Sequence, residues 1–189
     1  MITKNTIFTF RWSRLLLLLQ VGVFSVLFSF GATAQQHRAA VDYIHGEGDV
    51  EGIKLAYQYH TNWLKSWSKH VNLYFESSIN FWEYGAENNH DTNFVLAISP
   101  VIEYPIAEYR HTPIYLEFGI GVSLLDDTKF AGKNVGSHYQ FEDRLGIKTY
   151  FGKGNRHSLG LRYFHYSNAG LQDPNPGLDF ISLSYSQAL

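Results

Sequence analysis

The sequence predicts an all-β fold, an eight-stranded antiparallel transmembrane β-barrel. Hydrophobicity alternates residue by residue over segments of about ten, the length of an outer-membrane strand. No helical periodicity survives past the apolar N-terminal run. The 189 residues are 16% aromatic, with 13 Tyr, and hold no cysteine. Tyr and Trp in that abundance suit interfacial girdles. A small secreted chain without disulfides needs another source of stability. A closed barrel in lipid supplies one, because every backbone group pairs and no sheet edge remains.

The elements follow in order. Residues 1–34 read as a secretory signal peptide. Lys4, Arg11 and Arg14 give a positive start, Leu15 to Phe30 is apolar apart from Gln20 and small Ser and Gly residues, and Ala32-Thr33-Ala34 is a small-residue cleavage signal. The apolar run is short for an uncleaved anchor of ~20 residues. Residues 35–189 form the barrel domain. Its strands are expected near 38–46, 51–60, 70–84, 92–105, 113–124, 137–151, 156–168 and 178–187. Gly, Asn, Asp, Pro and Lys separate them. The gaps are short except Asp126 to Gly136.

Alternation assigns faces. In the second strand Ile53, Leu55, Tyr57 and Tyr59 oppose Lys54, Ala56, Gln58 and His60. In the fifth, Ile114, Leu116, Phe118, Ile120 and Val122 oppose Tyr115, Glu117, Gly119, Gly121 and Ser123. The second set in each case mixes charges with small residues, as a narrow, paired barrel interior requires. Lys54, Glu76, Glu103, Glu117, Glu142, Arg144, Lys148 and Arg162 are therefore expected inside. A soluble ligand-binding barrel would invert these faces. Asp143 breaks the parity, since it would aim at lipid unless a bulge or a strand end relieves it.

Composition narrows the function. The removed segment carries three basic and no acidic residues, so the mature chain is more acidic than the formal −2 of the whole. That argues against a nucleic-acid partner. The nine histidines lack metal-ligand spacing, so neither a metal nor another cofactor is expected. Eight antiparallel strands put both termini in the periplasm and the loops after strands one, three, five and seven outside.

The last of those loops follows His165-Tyr166-Ser167-Asn168-Ala169-Gly170. His165 and Ser167 share a strand face with Leu159 and Leu161. Asp179 lies on the same side of the neighbouring eighth strand. Ser167 is then a candidate nucleophile, His165 its base and Asp179 the acid that orients the imidazole. The N–H groups of Ala169 and Gly170, with Asn168 or Asn175, are candidate oxyanion donors. Tyr163 and Tyr166 read as girdle or packing residues, and the other histidines as solvated loop or rim residues. A non-enzymatic barrel serving adhesion or membrane integrity, and a secreted soluble lipid-binding barrel, remain open on this spacing alone.

The run His165-Tyr166-Ser167-Asn168-Ala169-Gly170-Leu171, with Pro174-Asn175 and Gly177, resembles the active-site segment of the PagL-type lipid A 3-O-deacylases. Phe118-Gly119-Ile120-Gly121-Val122 and Phe141-Glu142-Asp143-Arg144-Leu145-Gly146 resemble family segments too. The resemblance implies an outer-membrane serine esterase that removes the 3-O-linked acyl chain of lipid A. It implies a Ser-His-acid triad on Ser167, His165 and Asp179, where the family has Glu in place of Asp. It also implies an oxyanion segment at Asn168, Ala169 and Gly170, supported by Asn175. The expected partner is lipopolysaccharide in the outer leaflet, and a homodimer is one assembly open to such a barrel.

Overall fold

The computed structural model describes residues 36–85 and 91–189. The signal-peptide assignment lies outside the described residues. Eight strands form an up-and-down barrel: β1 (His37–Gly46), β2 (Val50–Thr61), β3 (Asn72–Tyr84), β4 (Asp91–Tyr109), β5 (Thr112–Leu125), β6 (Tyr139–Phe151), β7 (His157–Ser167) and β8 (Leu178–Ala188). Each pairs antiparallel with its neighbours in sequence, and β1 closes on β8 from Arg38 opposite Ala188 to Gly46 opposite Phe180. All eight expected segments fall on these strands.

Two stretches differ from expectation. β4 and β5 run on past residue 105 to a turn at Arg110 and His111, across a register shift between Pro105 and Ala107. The bulge absorbs the extra residue and pairing resumes to Tyr109 opposite Thr112. The long gap after β5 is not plain loop. Lys129–Phe130 and Lys133–Asn134 pair as a small hairpin.

The faces obey the alternation. Ile53, Leu55, Phe81, Ile98, Phe118, Ile120, Leu161 and Leu183 point outward and are exposed, whereas Lys54, Glu76, Glu117, Glu142, Arg144 and Arg162 are buried inside. An apolar exterior around a polar, filled interior excludes the soluble ligand-binding barrel, which needs the reverse. The buried charges balance: Arg38, Lys54, Arg144, Lys148 and Arg162 against Asp42, Glu76, Glu103, Glu117 and Glu142. Arg162 binds Glu117 Oε2 at 2.8 Å and Asp42 Oδ2 at 2.9 Å. Arg144 joins Glu76 and Glu142, which Lys54 also bridges at 3.1 and 3.0 Å. Lys148 holds Glu103 at 2.9 Å and Glu117 at 3.2 Å. Space for these long side chains comes from small partners: a Cβ on Gly146 would sit 2.9 Å from Arg162 Cγ.

At one end of the barrel the interior turns apolar. Ile44, Val50, Trp82, Val95, Phe164, Tyr166, Leu178 and Phe180 form a plug that takes in Phe130 and Val135 from the small hairpin. Tyr166 is thus a packing residue, and its hydroxyl also donates to Glu142 at 2.6 Å. His60 departs from the solvated reading of the histidines. Its ring stacks on Tyr74 at 4.8 Å and its Nε2 is buried.

Arg162 sits at the hub of a buried network, so removing it leaves Asp42 without a cationic partner among the described residues and Glu117 with Lys148 alone. Arg162→Met should destabilise the barrel by about 3–5 kcal/mol, read as a lower urea midpoint for the refolded protein in vesicles.

Candidate active site

The site sits at the plugged end, on the outer face of β7 and β8. The turn between β7 and β8 spans residues 168–177, and β7 ends at Ser167. Along β7 the odd residues face out and the even residues face in, so Tyr166 anchors in the plug while His165 and Ser167 flank it outside. On β8, Leu178 and Phe180 anchor in the plug and Asp179 between them faces out. The interior packing therefore fixes all three outward side chains from behind.

Asp179 stands directly opposite His165 in the register. Its Oδ1 accepts from His165 Nδ1 at 2.7 Å, with both side chains about a third exposed. The short aspartate reaches the imidazole because the two strands are paired at that point. The bond leaves Nε2, the other ring nitrogen, without a hydrogen-bond partner among the described residues. Ser167 is two residues along the same face, and its hydroxyl has no partner among the described residues.

A third group enters from a residue expected only to pack. Tyr163 donates its hydroxyl to the same Asp179 Oδ1. Tyr163 shares the face of His165, one step nearer the barrel middle, so parity carries a signal for it. What parity lacks is the diagonal reach across to β8. Asp143 arrives from the other side. It is opposite His165 in the β6–β7 register, half-buried and outward. No bulge relieves it, since the register runs unbroken from Phe141 to Phe151. It is the fifth residue of β6, cross-strand from His165.

The loop after Ser167 is organised by Asn168, whose side chain is buried. Asn168 Oδ1 accepts from the N–H of Gly170 at 2.9 Å, and Nδ2 donates to the carbonyls of Gln172 at 2.7 Å and Val135 at 3.1 Å. Its own N–H donates to Asn175 Oδ1 at 2.9 Å. The N–H of Gly170 is thus committed within the loop. The N–H of Ala169, which takes φ 53°, has no partner among the described residues. Asn175 keeps its amide NH₂ unengaged among them.

The small hairpin clamps this loop from above. Besides the bond from Asn168 to Val135, Lys133 Nζ donates to the carbonyl of Gly177 at 3.2 Å and pairs with Glu47. Gly177 has φ 70°, and a Cβ there would stand 2.6 Å from His165 Cε1. The backbone passes so close to the imidazole that only glycine leaves room for it. Among the described residues no cluster of His, Asp and Glu forms a metal centre.

The chain as a whole is similar to known proteins. Residues 51–188 match the family model described as lipid A 3-O-deacylase (PagL). The chain is 33% identical to the lipid A deacylase PagL of Pseudomonas aeruginosa over 156 residues, covering 82% of this chain and 86% of that protein. It is 32% identical to the lipid A deacylase PagL of Bordetella bronchiseptica over 160 residues, with the same coverage. Among solved structures, the outer membrane enzyme PagL superposes with a TM-score of 0.66 at 28% identity, over 80% of this chain and 99% of that one.

Gly177 offers a test of the close approach to His165. Gly177→Ala should lower ester hydrolysis by at least about 10²-fold through a displaced imidazole. The heat-modifiable gel mobility that reports a folded barrel should be unchanged.

Proposed function

The chain belongs to the lipid A 3-O-deacylase (PagL) family, and from that premise we propose a residue-level mechanism for an outer-membrane enzyme that deacylates lipid A. Ser167 Oγ attacks the carbonyl carbon of the 3-O-linked acyl ester while His165 Nε2 takes its proton. The tetrahedral intermediate collapses with loss of the sugar 3-oxygen, which receives that proton from His165. The acyl chain is then an ester of Ser167. A water molecule, deprotonated by His165, attacks it and releases the fatty acid and free Ser167.

The observation that carries this reading is the Asp179–His165 bond on the outward face, beside Ser167. Asp179 holds the imidazole with Nδ1 protonated and stabilises the imidazolium that forms in each half-reaction. The Tyr163 hydroxyl on the same oxygen keeps the carboxylate from swinging away. The unengaged N–H of Ala169 and the amide of Asn175 are the donors left for the oxyanion. Gly170 shapes the loop instead, its N–H being spent on Asn168.

Position suits the substrate. The site is at the end of strands whose outward surface carries Leu145, Leu161 and Ile181. An acyl chain lying along that apolar surface presents its ester at the height of Ser167. Both strands of the site border an odd-numbered loop, on the side opposite the termini, which in an eight-stranded barrel is the outer leaflet. Residues 1–34 would direct the chain to that membrane and be removed.

Ser167→Ala should abolish the loss of one hydroxyacyl group from lipid A, seen by mass spectrometry of bacteria expressing the protein. A folded Ser167→Ala barrel that still shifts the lipid A mass would remove Ser167 as nucleophile, and a wild-type barrel that never shifts it would favour the adhesion or integrity reading. Asp179→Asn should slow turnover by about 10³–10⁴-fold. Tyr163→Phe should reduce kcat by about tenfold with little change in KM, the loss of one hydrogen bond to a charged group.

A further inference from the structure

The charged residues outside the barrel interior are sorted by end. Around the active-site end the exposed side chains are mostly acidic, including Glu47, Asp49, Asp126, Asp127 and Asp173. The opposite end, where the described residues begin and finish, is basic. Lys65 and Lys69 lie on the β2–β3 turn, Arg110 on the β4–β5 turn, and Lys153 and Arg156 on the β6–β7 turn, all exposed. Among the described residues Glu108 is the side-chain acid of that rim, and it pairs with His111.

Aromatic exposure is concentrated there as well. Trp63 and Trp67 of the β2–β3 turn are 69% and 89% exposed. Tyr109 is 63% exposed, with the Arg110 guanidinium 5.2 Å from its ring. Lys65 Nζ donates to the carbonyl of Lys69 and to Asn72 Oδ1, both neutral acceptors, so no carboxylate among the described residues compensates its charge. An indole exposed this fully beside unpaired lysines is favoured where hydrocarbon meets anionic headgroups.

We propose that this terminal-end rim is a docking surface for anionic phospholipid of the inner leaflet. Trp63 and Trp67 enter the interface, and Lys65, Lys69, Arg110, Lys153 and Arg156 face the headgroup phosphates. The contact pins the barrel from below and so sets the height at which Ser167 meets the outer leaflet. It rests on the outer-membrane barrel reading, and not on the triad.

The test uses the three tryptophans of the mature chain. Trp82 is buried in the interior plug and gives a constant background, while Trp63 and Trp67 report on the rim. The mature protein is refolded into phosphatidylcholine vesicles containing about one fifth phosphatidylglycerol, a fraction at which basic residues near the surface enrich anionic lipid. The headgroup composition is held fixed, and bromine labels are placed on the chains of either the phosphatidylglycerol or an equal amount of the phosphatidylcholine. Brominated phosphatidylglycerol should quench at least about threefold more strongly per lipid. Lys65→Ala/Lys69→Ala/Lys153→Ala should bring the two labels level while deacylation by the variant in detergent is retained. Equal quenching by both labels in the wild type, no quenching by either, or a preference that survives the triple replacement would each overturn the proposal. Because the vesicles contain no lipid A, an inactive enzyme would not alter these outcomes.

Discussion

The register that joins β1 to β8 closes the ladder, with Val41 opposite Tyr185 and Asp42 opposite Ser184, and the rest of the molecule is arranged around that closure. In hydrocarbon an unpaired backbone group costs several kcal/mol, so a spanning sheet is stable only without an edge. Once the ladder is closed, each residue has one of two addresses. Odd and even positions along a strand face lipid or lumen, and no loop or partner can exchange them. The apolar set outside and the charged set inside are consequences of that parity. The lumen must then solve its own problem, because an unpaired charge there has little water to turn to. It does so by balance, with guanidinium and ammonium groups shared among carboxylates in the manner of Arg162 between Glu117 and Asp42.

The same parity couples packing to chemistry. His165 and Ser167 face out on either side of Tyr166, and Asp179 faces out between Leu178 and Phe180. The inward members are gripped by the aromatic plug, where Trp82 packs on Phe180 at 4.6 Å and on Tyr166 at 4.9 Å. A wall one residue thick thus holds the candidate site on one side with a packed core on the other. The small hairpin closes the arrangement. Phe130 and Val135 enter the plug, while Lys133 and the Val135 carbonyl hold the loop that carries the candidate oxyanion donors. The geometry of the candidate site, on a face where lipid offers no rigid support, is maintained from the protein side.

Charge is distributed on three levels. The interior is neutral, the active-site end acidic and the terminal end basic. The interior balance follows from desolvation, since an excess of either sign there would have no counter-charge. The polarity of the two ends is free of that restriction, because both are wet.

Strand number, most strand limits and the facing of nearly every side chain were legible in the sequence, because alternation is a local property that the pleat imposes on each segment by itself. The interior charges, from Lys54 to Arg162, and the outward placing of His165, Ser167 and Asp179 follow from the same local rule. Between strands, adjacency was legible and register was not. That Asp179 falls directly opposite His165, that Tyr163 reaches diagonally to the same oxygen, and that Asp143 is cross-strand from His165 all depend on register. Register is fixed by turns and by pairing between residues far apart in the chain. The hairpin inside the gap after β5 rests on long-range packing of Phe130 and Val135, and the commitment of the Gly170 N–H rests on how the Asn168 side chain turns within its loop. Sequence set which face each residue takes, because the pleat has a period of two. Only the tertiary structure decided which residues meet on that face, because that requires the closed ladder to bring separate strands into one register.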